Sequence, residues 1–370
     1  MIQIREVKSA RDYKQFVDFP FKLYKDHPYW VPPLKKGELE LLLPKSNPAY
    51  EFCDAKFWTA WKDNRLAGRI GAIINHAYNE KINRRMGRFS RVEFIDDKEV
   101  SSLLFQTAEN WLREKNMEAV HGPLGFTNID NQGLLIEGFD YLPSQASVMH
   151  FPYYKDHIEA LGYKKEEDWV EFRLTINEVP EKAQRLADII IKRNNLEVIH
   201  LENKEQFKEY GHELFQLVGK SFEELPYVAP FTEKLIDFIL KKYTSVLQPK
   251  YIVLIFKDKN LVGFIIGLPS LSKALQKARG KLFPFGIFHL QKALSNPEEM
   301  DLLLTGVDTQ YQKLGLPAIL INELQKSMIE NGVKFVETTG MFESNLKGAT
   351  HWKNYEHIQH KRRRCFVKPL

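Results

Sequence analysis

Val307-Asp308-Thr309-Gln310-Tyr311-Gln312-Lys313-Leu314-Gly315-Leu316-Pro317-Ala318 joins an apolar strand-like run, Leu302 to Val307, to a helix-like run, Ala318 to Ile329. A strand that turns through glycine into a helix presents unpaired backbone N–H groups at the positive end of the helix dipole. That is an anion site built from main chain, suited to a pyrophosphate. Pro317 supplies no N–H, yet its fixed φ suits the first helical turn. The helix survives, and the cluster has one donor fewer.

Outward from this segment, the periodicities give the same order of elements twice. In the first half, Ile2 to Val7 alternates like a strand and Ser9 opens a helix. Phe57 to Trp61 and Leu66 to Ile74 flank Asp63-Asn64 as a hairpin, and Arg88 to Ile95 is a further strand. Asp96-Asp97 then caps an amphipathic helix, and Val170 to Leu174 reads as a strand. In the second half, Leu196 to Leu201 is a strand, and helices run from Lys204 to Phe222 and from Thr232 to Tyr243. A hairpin crosses Asp258-Lys259-Asn260, and the opening segment follows. Lys334 to Thr338 is a strand, a short helix spans about Leu346 to Tyr355, and Arg363 to Val367 closes the sheet. The halves are not equivalent, because Asp96-Asp97 stand where the second half has its glycine turn. Carboxylates favour a helix N-terminus but repel a phosphate there.

The 370 residues are 44% apolar and 27% charged, an ordinary globular composition of two-domain length. A net charge of +5 and a pI near 8.8 fit an anionic ligand or an acidic membrane surface, and equally a balance tuned for solubility. Cys53 and Cys365 are the two cysteines, without CxxC or metal-ligand spacing, so neither a disulfide framework nor a metal is expected. No signal-peptide core occurs, and no apolar run reaches the roughly 20 residues that span a bilayer. A cytoplasmic protein is expected, with the inner membrane face as a peripheral location.

The opening segment resembles the acyl-CoA-binding motif of the GNAT N-acetyltransferase superfamily, Gln/Arg-x-x-Gly-x-Gly/Ala. Gln312 and Gly315 match, Val307 stands at the usual distance before Gln312, and Pro317 departs from the pattern. The resemblance implies an α/β fold (an α+β mixed sheet) of two tandem GNAT, or acyl-CoA N-acyltransferase, domains. Residues 1–178 would form a domain lacking the CoA motif. Residues 179–370 would carry the motif and an insertion over 271–294. Gly122-Pro123, Gly125 to Asn128, Gly133 to Phe139, Pro152-Tyr153-Tyr154 and Gly162-Tyr163, with Glu337 through Asn345, narrow the likeness to the YghO-like group of two-domain bacterial proteins. Some members of that wider group have been linked to N-acylation of sphingoid bases.

By this resemblance acyl-CoA is the co-substrate. The N–H groups of Lys313, Leu314, Gly315, Leu316 and Ala318 would hold its pyrophosphate, and backbone near Gly306-Val307 the pantetheine amide and thioester oxygen. Asn345 matches the asparagine that bonds the pantetheine arm and is also a plausible helix N-cap. Acyl transfer to an amine needs a base and an acid. Glu337 and Glu343 are the carboxylates considered as base, and helix-start electrostatics explains each equally well. The usual tyrosine acid falls at Trp352. Tyr355, three residues on, is the remaining candidate, with core packing as its other reading. Cys365 has no base partner in the pattern.

Asn128 and Asn131, with Tyr154, form an expected substrate rim, although turn chemistry and ring packing explain the same residues. Residues 271–294 read LSKALQKARGKLFPFGIFHLQKAL. They either contact a membrane or a long acyl chain, or pack their aromatics on the core. His360 to Arg364 reads as a solvated hairpin, and nothing supports nucleic-acid binding. The expected activity is transfer of an acyl group from CoA to a small or lipid-like amine such as a sphingoid base. The alternatives are a non-catalytic GNAT-fold scaffold and an aminoacyl-tRNA-dependent transferase.

Overall fold

A computed structural model describes residues 1–345 and 355–370; the expected helix from Leu346, and Trp352, lie outside them. The first half runs β1 (Ile2–Glu6), α1 (Ala10–Leu23), α2 (Lys35–Leu42), β2 (Cys53–Lys62), β3 (Arg65–Asn75), α3 (His76–Ile82), β4 (Met86–Phe94), α4 (Lys98–Glu114), β5 (Ala119–Gly122), β6 (Leu134–Glu137), α5 (Tyr153–Ala160) and β7 (Lys164–Thr175). Local chemistry sets these boundaries. Ser9 and Asp12 make a capping box at α1. Asp63 and Asn64 take φ of 49° and 61°, the paired left-handed conformation of a tight hairpin turn. Asp97 caps α4, accepting the N–H groups of Glu99 and Val100.

The second half runs α6 (Glu181–Asn194), β8 (Leu196–His200), α7 (Lys204–Phe222), α8 (Glu233–Tyr243), β9 (Ile252–Lys257), β10 (Asn260–Pro269), α9 (Ser272–Ala278), α10 (Gly286–Ser295), β11 (Glu299–Val307), α11 (Leu316–Glu330), β12 (Phe335–Thr338), β13 (Met341–Phe342) and β14 (His357–Pro369). Asp258 and Lys259 repeat the left-handed turn between β9 and β10. Each half packs helices on an apolar sheet face. Trp58, Phe89 and Leu104 belong to the core of the first half, and Val253, Ile265 and Ile319 to that of the second.

Among the described residues fourteen strands form one sheet, with the path β1-β2-β3-β4-β5-β14-β7-β12-β11-β10-β9-β8 and with β6 on β14 and β13 on β7 beside it. The pairs β4–β5 and β11–β12 are parallel, and every other neighbouring pair on that path is antiparallel. The halves have therefore exchanged their last strands. β14 lies between β5 and β7, and β7 bridges to β12. The link after β7 falls near residue 178, but β14 carries the chain back into the first half.

A ladder of buried charges accompanies the exchange. β7 carries Asp168 and Glu171, and β14 carries Lys361 to Arg364. Asp168 pairs with Arg362 at 3.1 Å and Arg364 at 2.8 Å, while Glu171 pairs with Arg363 at 2.7 Å and Lys361 at 3.7 Å. Glu171, Asp168, Lys361 and Arg363 are all buried. The expected solvated hairpin over His360 to Arg364 is thus corrected to a central strand with an internal charge ladder. Nearby, Glu166 Oε2 lies 3.1 Å from His121 Nδ1 and accepts from the Tyr227 hydroxyl at 2.9 Å and the Cys365 thiol at 3.4 Å. The cysteine is a structural member of this junction.

Candidate active site

β11 and β12 pair from Glu299↔Phe335 to Leu302↔Thr338 and then part. A bulge contributes to the fork: Ile266 faces Leu304 and Gly267 faces Leu302, so Leu303 is an extra residue. Thr339 holds the crotch, its N–H donating to the Leu302 carbonyl at 3.3 Å and its hydroxyl to the Leu303 carbonyl at 3.2 Å. Beyond it, Leu304 to Val307 line a cavity of about 1270 Å³. Gly306 is required for packing, because a Cβ there would come within 2.5 Å of the Phe264 ring.

The expected loop after β11 is a 3₁₀ turn, Thr309–Leu314, capped by Asp308, whose side chain accepts the Gln310 N–H at 3.0 Å. Gly315 follows at φ 75°, where a side chain is strained, and α11 starts at once. Lys313 is exposed and Leu316 is fully buried in the core. The Ala318 N–H already donates to the Gly315 carbonyl at 3.1 Å, so the donor cluster is narrower than expected. Gln312 and Pro317 both line the cavity.

The cavity lies between the halves. The second half supplies an apolar wall that includes Phe207, Phe215, Ile239, Leu268 and Leu290. The first half supplies a polar end with Glu38, Arg91, Asn128, Asp130, Asn131 and His150. Arg91, at φ 45°, pairs with Glu38 at 2.6 Å, and Arg69 pairs with Glu93 at 2.5 Å. Burial pushes the Glu38 carboxyl up, but Arg91 and Arg69 outweigh it and hold it below the usual range. Burial, aided by Arg363, pushes His150 down to about 3. Its Nδ1 accepts the Leu135 N–H at 3.2 Å, so the neutral ring carries its proton on Nε2. Sequence reasoning missed Glu38, Arg69, Arg91 and Glu93. The available signal was β4 itself, with Arg88, Arg91 and Glu93 among Phe89, Val92 and Phe94.

Val307, Gln312, Asn345, Asn128 and Asn131 come together around this cavity. Other expected residues do not. Glu337 faces the opposite side of β12, toward a separate cavity of about 210 Å³, and contacts Arg173 at 3.0 Å, Lys361 at 3.2 Å and His360 at 2.5 Å. Burial raises its carboxyl, but His360 and Lys361 hold it below the ordinary value. Glu343 is bound by Lys165 and, at 2.6 Å, by Arg362, which lower its carboxyl in that order. Two carboxylates so engaged, neither lining the main cavity, are poor proton acceptors. The Tyr355 hydroxyl donates to Gln325 on α11 at 2.7 Å, and burial raises it.

Tyr154 is corrected from rim to core. It is fully buried, and its hydroxyl accepts the Phe94 N–H at 2.9 Å while that of Tyr153 donates to the Phe94 carbonyl at 2.6 Å. Phe94 ends β4, whose pairing with β5 stops at Arg88↔His121. Two tyrosines therefore satisfy the strand edge that the second half leaves open. Lys62 also pairs with Asp97 at the head of α4. Tyrosine rings thus cover the end of β4 at Phe94, while Ser90 to Glu93 just before it line the shared cavity.

No protein-family profile matches the chain. It is 30% identical over 351 residues, 92% of this chain and 89% of the relative, to protein YghO of Escherichia coli (strain K12). It is 25% identical over 373 residues, 96% of each chain, to the bacterial ceramide synthase of Caulobacter vibrioides (strain NA1000 / CB15N). Among solved structures it is similar to a tandem GNAT protein from the clavulanic acid biosynthesis pathway, with TM-score 0.56 and 12% identity over 100% of this chain and 98% of that one. A GCN5-related N-acetyltransferase from Sphaerobacter thermophilus gives TM-score 0.53 and 12% identity over 100% and 95%. At such identities the likeness is of fold: this is the tandem GNAT fold.

Proposed function

The chain belongs to the YghO-like family of tandem GNAT proteins, and from that premise we propose that it moves an acyl group from acyl-CoA to the nitrogen of a lipid-like amine. The observation that carries this reading is the fork between β11 and β12, which opens straight into the apolar-walled cavity. Its volume of about 1270 Å³ exceeds the roughly 300–1,000 Å³ of small-molecule sites and leaves room for long chains. One relative, 25% identical, is named a bacterial ceramide synthase, which agrees with such a cavity.

The residues present fit the co-substrate. The unpaired edge of β11 from Leu304 to Val307 would hold the pantetheine arm beside Asn345, and the N–H of Gly315 at the head of α11 the pyrophosphate, while the expected donor Leu316 is buried in the core. When bound, CoA supplies the acyl group as an activated thioester. Asn128 and Asn131 then offer hydrogen-bonding groups to the amine, and the apolar wall excludes water around both. A non-catalytic binding protein is the competing reading, favoured by Pro317 and by the engaged Ala318 N–H.

Titration calorimetry with acetyl-CoA and with palmitoyl-CoA tests the proposal. We expect binding of at least one. Gly315→Asp, which puts a carboxylate at the phosphate site on a strained φ, should weaken it by roughly a hundredfold or more. No binding of either thioester sinks acyl-CoA dependence. Binding without thiol release, across a panel of short- and long-chain amines, favours the non-catalytic reading.

A further inference from the structure

We infer that the surface around α10, residues 277 to 292, docks on an anionic lipid bilayer and passes lipid substrate from it into the cavity. The docking rests on the surface itself, and the passage rests on the acyl-transfer reading. Phe283, Phe285 and Phe288 are 74%, 71% and 63% exposed, and no other phenylalanine or tryptophan among the described residues is exposed. The expected packing of these three rings on the core does not occur.

Their surroundings are cationic. Residues 271–297 hold five basic residues and no Asp or Glu, and without them the chain balances at 48 basic against 48 acidic. The formal surplus of the protein is thus concentrated beside the exposed rings. Lys277, Arg279, Lys281 and Lys292 are exposed, and none forms an ion pair among the described residues. Rings that reach the acyl boundary, with cations at headgroup level around them, are the chemistry of an interfacial lipid contact.

The platform is fixed to the first half. The Gln276 amide donates to the carbonyls of Pro28 at 2.8 Å and Trp30 at 3.1 Å, and the Gly280 carbonyl accepts the Lys35 N–H at 3.1 Å. Gly280 must stay glycine, because a Cβ would lie 2.3 Å from the Phe21 ring. From this platform α10 turns Ile287, Leu290 and Leu294 into the cavity and Phe288 outward. One helix thus separates the exposed rings from the apolar wall of the site.

Vesicle flotation tests the docking without any turnover. The chain should float with phosphatidylglycerol–phosphatidylcholine vesicles and much less with phosphatidylcholine alone. Replacing all three rings (Phe283→Ser, Phe285→Ser, Phe288→Ser) should cut the partition coefficient roughly tenfold or more. The Lys277→Gln/Lys281→Gln pair should cut it by about fivefold per cation removed. Both variants alter exposed side chains, so an unchanged urea midpoint should accompany the loss. Failure of the parent chain to float, or equal flotation of the triple variant, overturns the inference. Concentration-dependent dimerisation that the triple variant abolishes, without vesicle binding, overturns it and gives the face to a second copy. A chain that floats yet binds no acyl-CoA keeps the docking and sinks the reaction.

Discussion

Asp301, fully buried on β11, accepts the Gln145 N–H at 2.6 Å on one oxygen, and its other oxygen has no partner. Burial is the main cause that pushes its carboxyl from 3.8 up to about 7. A raised carboxyl binds its proton more tightly folded than unfolded. Its contribution is therefore full below 3.8 and is lost as pH rises toward 7. Asp301→Asn should raise the urea unfolding free energy at about pH 8, by up to about 4 kcal/mol, and leave it nearly unchanged at about pH 4. Equal effects at both pH values would contradict the buried-acid account. At this scale, a main-chain demand was legible at Gly315, which takes φ 75°, while Gln312 and Val307 were singled out by the resemblance alone. Partners were not. Glu337 and Glu343 read as free carboxylates because the cations that neutralise them, on β7 and β14, are distant in sequence. Tyr154 read as a rim residue because its acceptor role toward Phe94 depends on where α5 docks.

The elements were largely legible, since hairpin turns, caps and alternation are local. Both hairpins, the strand before the opening motif and the capped α4 lie where the periodicities put them. The exchange of β7 and β14 was not, because strand order depends on contacts nearly two hundred residues apart. The signal for it was charge: acids on one strand and a basic run on another, each implausible alone inside a sheet. Glu171→Gln tests this ladder. It leaves Arg363 and Lys361 buried with less compensation, and removing one partner of a buried pair typically costs about 3–5 kcal/mol. A urea unfolding free energy lowered by less than about 1 kcal/mol would mean that the ladder adds nothing to the join.

Across the whole molecule, the two halves share a sheet, a cavity and a set of buried charges, although the sequence reads as two consecutive domains. Residues 1–178 alone should be insoluble or unfolded, because β5 lacks its neighbour β14; residues 179–370 alone should behave likewise, because β12 lacks β7. Co-expressed, the segments should assemble into a complex with native-like circular dichroism. A cooperatively folded 1–178 fragment would show the exchange to be dispensable. The exchange also has a consequence in time. During synthesis, the first half has all its other strands long before β14 is made, and the edge of β5 stays unsatisfied throughout. The second half must be translated before the first can close. This makes the nascent chain a client for protection at β5 and at both edges of β7, and it makes maturation a late event in which both halves lock together.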